Sequence, residues 1–190
     1  MAVCTPKLFF PTLKNLKTNC ILTSMRLNLP KKHDVEKFAK KKYDGFLNFR
    51  GEDTRNSFTS HLYEALESSG LTIFKDDVSL RVETEISTQL LEAVEVSRTA
   101  IPIFSVDYAS SPWCLDELVK IMECNKKYEL SVVPVFYDVD PSDVRHQRNT
   151  LANSFAKLNE KYKDQPERVK RWKQALTDAA NLTGIDVRNR

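Results

Sequence analysis

The residues best suited to chemistry in this 190-residue chain stand together in Ser110-Ser111-Pro112-Trp113-Cys114-Leu115-Asp116-Glu117-Leu118. Ser111 as N-cap with Pro112 at the first helical position makes a helix start, and Leu115, Leu118, Val119 and Met122 form its core-facing stripe. At about 100° per residue, Trp113, Glu117 and Cys124 gather on the opposite side. A carboxylate beside an aromatic wall can stabilise positive charge or handle a proton. The plainer alternative is a partly exposed Trp next to a solvated Glu, since glutamate is mostly exposed. On that placement Glu117 is a surface position whose change to alanine costs about 0.5 kcal/mol or less.

A second cluster, Arg50-Gly51-Glu52-Asp53-Thr54-Arg55, follows an apolar run directly and opens a helix capped by Asp53 or Thr54. The first-turn N–H groups of a helix can meet an anion, so a phosphate-bearing ligand would suit this loop. An ordinary capped turn with solvated charges fits the same residues. Ser60 and His61 are adjacent on one helix, point in different directions and make a poor nucleophile and base pair. His33, His61 and His146 lack metal-ligand spacing, and with four glycines and neither GxGxxG nor GxxxxGK[ST] the chain has no glycine-rich phosphate cradle.

These residues need a scaffold, and apolar periodicity predicts one. Strand-like runs at 43–49, 71–74, 99–104 and 132–137 alternate with helical patterns. The first pattern spans 54–69 with Phe58, Leu62, Ala65, Leu66 and Ser69 inward; the next carries Ile86, Leu90, Ala93 and Val94. Later ones begin near Ser111, hold Leu151, Phe155 and Leu158, and run over 166–183 with Val169, Trp172, Leu176 and Ala179 inward, stopped by Gly184. Near-continuous apolar strands between amphipathic helices describe an α/β, doubly wound parallel sheet covered on both faces. A fifth strand is too faint to place, with candidates between the last two helices or at Ile185-Asp186-Val187. Ligands of such folds bind beyond the carboxyl ends of the strands, which points to the loops beginning at Phe49, Lys75, Ser105 and Asp138.

Charge divides the chain. Residues 1–42 carry ten Lys/Arg against Asp34 and Glu36, and the remainder carries 19 against 24 acids. An acidic body gives no general attraction to nucleic acid. Residues 1–42 read as a basic, disordered extension that adds nothing to the core, with an organelle-targeting peptide as the alternative. Four cysteines without a CxxC pair point to a reducing interior, cytoplasm or nucleus. Apolar runs of a handful of residues fall far short of the roughly 20 of a membrane span, so no membrane partner is expected.

Five blocks carry a resemblance: YDGFLNFRGEDTR at 43–55, FTSHLYEAL at 58–66, FKDD at 74–77, YASSPWCLDEL at 108–118 and PVFYDVDPSDVR at 134–145. In this order and spacing the chain resembles a plant Toll/interleukin receptor (TIR) domain of the disease-resistance type over residues 43–184, leaving 185–190 as a tail. The resemblance implies a flavodoxin-like sheet with strand order 2-1-3-4-5. It also implies self-association with other TIR domains and cleavage of NAD or NADP, as substrate and with no cofactor, between nicotinamide and ribose in immune signalling. Glu117 then matches the catalytic glutamate, Trp113 helps wall the pocket, and Arg50, Gly51, Glu52, Asp53, Thr54, Arg55, Asn56 and Ser57 line the nucleotide site. Ser60 and His61 match an association patch. Val82-Glu83 stand where the family carries Arg-Gly, in a loop that borders the pocket. Pro102 in the third strand and Gly45 in the first also depart from the pattern. A non-catalytic TIR interaction module is the alternative function.

Overall fold

Alternation along the two longest strands sorts the apolar side chains into two cores. The computed structural model describes residues 13–27, 41–75 and 88–188. β1 (Tyr43–Phe49) and β3 (Ser97–Phe104) lie parallel, with Asn48 opposite Pro102. Successive strand residues face opposite sides. Phe46, Ala100 and Phe104 therefore enter one core, shared with the helices α4 (Thr88–Glu95), α5 (Pro112–Tyr128), α7 (Thr150–Lys161) and α8 (Pro166–Ala180). Leu47, Phe49, Ile101 and Ile103 enter the other, against α1 (Leu13–Leu27) and α3 (Ser60–Ser68).

The remaining strands are short. β2 (Ile73–Lys75) pairs with β1, β4 (Ser131–Val132) and β5 (Val135–Phe136) both pair with β3, and β6 (Ile185–Asp186) pairs with β5, every pairing parallel. The order β2-β1-β3-β5-β6 is the predicted 2-1-3-4-5, because β4 and β5 are two halves of one strand line. Residues 185–190 were expected as a tail, yet they begin with β6, and Val187 is buried in the second core. Ile86, Asp76, Asp77 and the Val82-Glu83 pair lie outside the described residues.

Pro102 looks costly in a central strand because proline cannot donate to the ladder. The carbonyls of Ala100 and Phe104 accept from Val133 and Tyr137, so the even-numbered backbone groups of β3 face the β4 and β5 side. By the same alternation the nitrogen of Pro102 faces the break between β4 and β5, where regular pairing is interrupted at Val133-Pro134. The missing donor thus falls opposite a gap. Gly184 was expected to stop the last helix, but α8 already ends at Ala180. A Cβ at Gly184 would stand 2.6 Å from the Phe136 ring and 2.8 Å from the Pro134 carbonyl, so glycine is needed there for the chain to reach the sheet edge.

Within residues 1–42, expected to add nothing to the core, Leu13–Leu27 form α1, a 15-residue helix that packs on α3 and β6. Ile21 is 0% and Met25 4% exposed, both within the second core. Among its described side chains Thr18, Ile21, Leu22, Ser24 and Met25 are buried or half-buried, and all but Ser24 fall on an i, i+3, i+4, i+7 stripe that the surrounding lysines and polar residues conceal in the sequence. The stripe explains Gly45 as well. A Cβ there would come 2.9 Å from the Met25 Cε and 2.8 Å from the Ile73 Cδ1, so the bare strand position is the seat of the Met25 methyl.

Candidate active site

The predicted helix over 54–69 is broken into parts, and the breaks shape the site. α2 (Gly51–Thr54) starts one residue after β1, the chain kinks over Arg55–Thr59 with non-helical backbone at Ser57, and α3 follows. Hydroxyls hold the kink: Thr59 donates to Thr54 at 2.8 Å, and Ser60 donates to the Arg55 carbonyl. Neither Asp53 nor Thr54 caps a helix start as expected, since the turn begins at Gly51 with no side-chain cap. Asp53 instead accepts from Arg50 and from Ser105 at the end of β3, while Arg50 also pairs with Glu52. Arg50 therefore already spends its charge on two carboxylates, and an incoming phosphate has to compete with them. Burial works against the Arg50 cation, but the Asp53 hydrogen bond and charge, with Glu52 and Asp107, outweigh it and raise its pKa.

Ser111 caps α5 as the sequence predicts, its Oγ accepting from the Cys114 N–H at 3.3 Å, with Pro112 in the first turn. The orientation of α5 is where expectation and structure part. Glu117 is 4% exposed and Cys124 1%, so the side of the helix assigned to solvent is buried. α5 packs against α4, α8 and the sheet together, which widens its buried arc beyond a single stripe. Glu117 faces β1, where Asn48 Nδ2 donates to its Oε2 at 2.8 Å. Asn48 Nδ2 also lies 3.3 Å from the Cys114 carbonyl, and the Tyr108 hydroxyl donates to Asn48 Oδ1. A buried polar group must find partners, and an Asn inside the apolar run of β1 was the sequence signal for this network.

Cys114 ties the two clusters together. Its thiol donates to the Phe49 carbonyl at 3.4 Å, and burial, then the Glu117 charge, push its pKa well up. A thiol held protonated is a poor nucleophile. Glu117 is held by Asn48 near the end of β1, and Arg50 and Asp53 meet Ser105 just after β3, so these groups gather at the carboxyl ends of β1 and β3. In this strand order β1 and β3 flank the switch in winding direction, the expected crevice of an open α/β sheet.

Trp113 is half-buried, one turn before Glu117, and packs against the first core. Arg55 stacks on Phe49 at 5.5 Å, whereas Asn56 is exposed and Ser57 donates to the Thr54 carbonyl at 3.3 Å. His61 is exposed and Ser60 half-buried on α3, away from any role as a catalytic pair. Glu83 falls outside the described residues.

Asp116 is no bystander. Its carboxylate accepts from the buried Trp172 Nε1 at 2.6 Å and pairs with Arg168, which stacks over the Trp172 ring at 5.1 Å. Asp116→Ala leaves that indole N–H without its acceptor and is expected to cost about 1–3 kcal/mol, read as a lower urea midpoint. Asp116→Asn, which keeps an acceptor, should lose less. A midpoint unchanged in both would remove Asp116 from this role.

The TIR domain profile matches residues 42–190. The chain is 53% identical over 142 residues to TMV resistance protein N of Nicotiana glutinosa, covering 75% of this chain and 12% of that protein. It is also 53% identical to disease resistance protein RPV1 of Vitis rotundifolia, over 75% of this chain and 10% of the relative. The chain thus spans about a tenth of the length of these relatives. Among solved structures, the TIR domains of the activated Roq1 resistosome recognising the pathogen effector XopQ match with a TM-score of 0.73 and 51% identity, over 78% of this chain and 89% of that one. Family profile, relatives and the strand order of the sheet agree, and the chain belongs to the TIR domain family.

Proposed function

We propose that this chain is an NAD(P)+ glycohydrolase that signals in plant immunity when TIR domains assemble. The observation that carries this reading is a glutamate of a TIR domain set against the carboxyl end of β1, buried yet held by the Asn48 amide. In the reaction the bond from the ribose C1′ to nicotinamide breaks, and its electron pair neutralises the pyridinium. Water then bonds to C1′ and releases a proton, or a ring nitrogen of the same nucleotide attacks to give a cyclic product. C1′ becomes oxocarbenium-like on the way, and a carboxylate fixed beside it stabilises the developing charge in a site of low dielectric. Arg50 to Ser57 would line the nucleotide site and Trp113 would help wall the pocket. The chain would act in the cytoplasm or nucleus, because a segment removed on organelle import would take Ile21 and Met25 out of the core.

The direct test is incubation of concentrated purified protein with NAD+ and chromatography for nicotinamide. Activity should rise more steeply than linearly with protein concentration, in keeping with a relative known from an assembled resistosome. His61→Ala, at an exposed position on α3, should flatten that dependence. Rates strictly proportional to concentration and indifferent to His61 would argue for a monomeric catalyst. The near-complete burial of Glu117 favours the second reading, a non-catalytic TIR interaction module, to the extent that the crevice stays closed to nucleotide. Nicotinamide release by assembled protein separates the two.

A further inference from the structure

We infer that Asn48 and Tyr108 are positioning residues for Glu117, a two-step relay that orients its carboxylate and holds it ionised; the inference rests on the glycohydrolase reading for its catalytic consequence. Asn48 is fully buried in the middle of the sheet, where a strand residue of its neighbours' kind would be apolar. Its amide has two inequivalent ends, and the surroundings decide which way it faces. Tyr108, also fully buried, has a hydroxyl that donates to Asn48 Oδ1 and lies 3.1 Å from the Cys114 carbonyl. With the amide oxygen engaged there, Nδ2 must face α5, where Glu117 Oε2 receives it at 2.8 Å. The opposite orientation would set the amide oxygen against the carboxylate. Tyr108 is in turn fixed by its ring, which meets Phe104 edge-on at 4.9 Å between centroids.

The relay acts on the charge of Glu117. An N–H donor aimed at a carboxylate favours the ionised form, whereas removal of water from a buried acid favours the neutral one. Among the described residues, the Cys114 thiol on the same helix and Tyr108 both act on Glu117, and Arg50 and Asp53 beyond β1 act on Cys114. Burial first, then the charges around it, raise the Tyr108 pKa well above the ordinary value, so its hydroxyl remains a donor across the usable range. Cys114 likewise stays neutral. The Asn48 donor to Glu117 is an amide that cannot titrate, suited to a carboxylate that must be charged when an oxocarbenium forms.

The test uses Asn48→Leu, which keeps the shape and removes the donor, and Tyr108→Phe, which keeps the ring packing and removes the hydroxyl. Glutamate labelled with 13C at the side-chain carboxyl, with Glu117→Gln to assign the signal, reports the titration of Glu117 without any turnover. Both variants should move that midpoint to higher pH. They should also lower kcat by about 10- to 100-fold, the range for outer partners of a reacting group, with KM for NAD+ nearly unchanged. Midpoint and kcat both at the wild-type values, with only thermal stability reduced, would leave the pair a packing role and overturn the inference. A wild type that releases no nicotinamide refutes the glycohydrolase reading alone, because the carboxyl titration still decides the positioning. Tyr108→Phe remains measurable even where a leucine at position 48 fails to fold.

Discussion

Glu117→Gln should reduce nicotinamide release by about 10²- to 10³-fold, as removal of one charge-stabilising group at a reacting centre does, while leaving the fold intact. Glutamine fills the same volume, and its amide oxygen can still accept from Asn48 Nδ2. Glu117→Ala should lose the same activity and also stability. It leaves a buried amide short of its partner at 2.8 Å, which costs about 1–3 kcal/mol, well above the cost of a surface change. The pairing of variants matters for interpretation. Loss of activity in the alanine variant alone is ambiguous, because a loosened α5 would also disturb Trp113 and the Arg50 loop. Equal losses in both, with only the alanine variant unfolding earlier in urea, isolate the charge as the cause. A glutamine variant that keeps most of the wild-type rate would transfer the chain to the interaction-module reading.

The sheet was legible because its strands are runs of apolar residues whose identity survives without knowledge of neighbours, and β1 falls on residues 43–49 as read. The site was legible in position but not in environment. Helical periodicity assigns one stripe to one partner, whereas α5 has three, and so Glu117 and Cys124 were read as outward although both are buried. Asp116 shows the same limit from the other direction, since its partners Arg168 and Trp172 lie more than 50 residues away in sequence and nothing local announces them. Asn48 was open to inference, being a polar residue at a buried strand position, but only three-dimensional proximity reveals Glu117 and Tyr108 as its partners. Pro102 and Gly45 read as defects when each strand is considered singly. Each is matched by a feature elsewhere: the break at Val133-Pro134 for the proline, the Met25 methyl for the glycine.

Deletion of residues 1–27 should destabilise the domain strongly, against the expectation that a basic, acid-poor segment contributes nothing. α1 supplies Ile21 and Met25 to the second core, and truncating one such buried side chain to alanine typically costs about 2–5 kcal/mol. The deletion also uncovers apolar neighbours on that face, where among the described residues α3 is the other covering helix. At about 2–4 °C per kcal/mol for a chain of this size, the melting temperature should fall by roughly 10 °C or more. Gly45 provides a further test that a general loss of helix cannot mimic. In the full chain, Gly45→Val pushes into the Met25 and Ile73 methyls and should lower the melting temperature. In the chain lacking α1 the Met25 methyl is gone and only the Ile73 Cδ1 still meets the valine, so the same substitution should cost less. A smaller loss in the truncated background places Met25 over Gly45 in solution. A deletion that leaves the melting temperature unchanged, or a valine that acts alike in both backgrounds, would detach α1 from the core and return residues 1–42 to the role of a solvated leader. α1 also packs on α3, the helix that bears Ser60 and His61, so the truncated chain should lose the steep concentration dependence of nicotinamide release along with its stability.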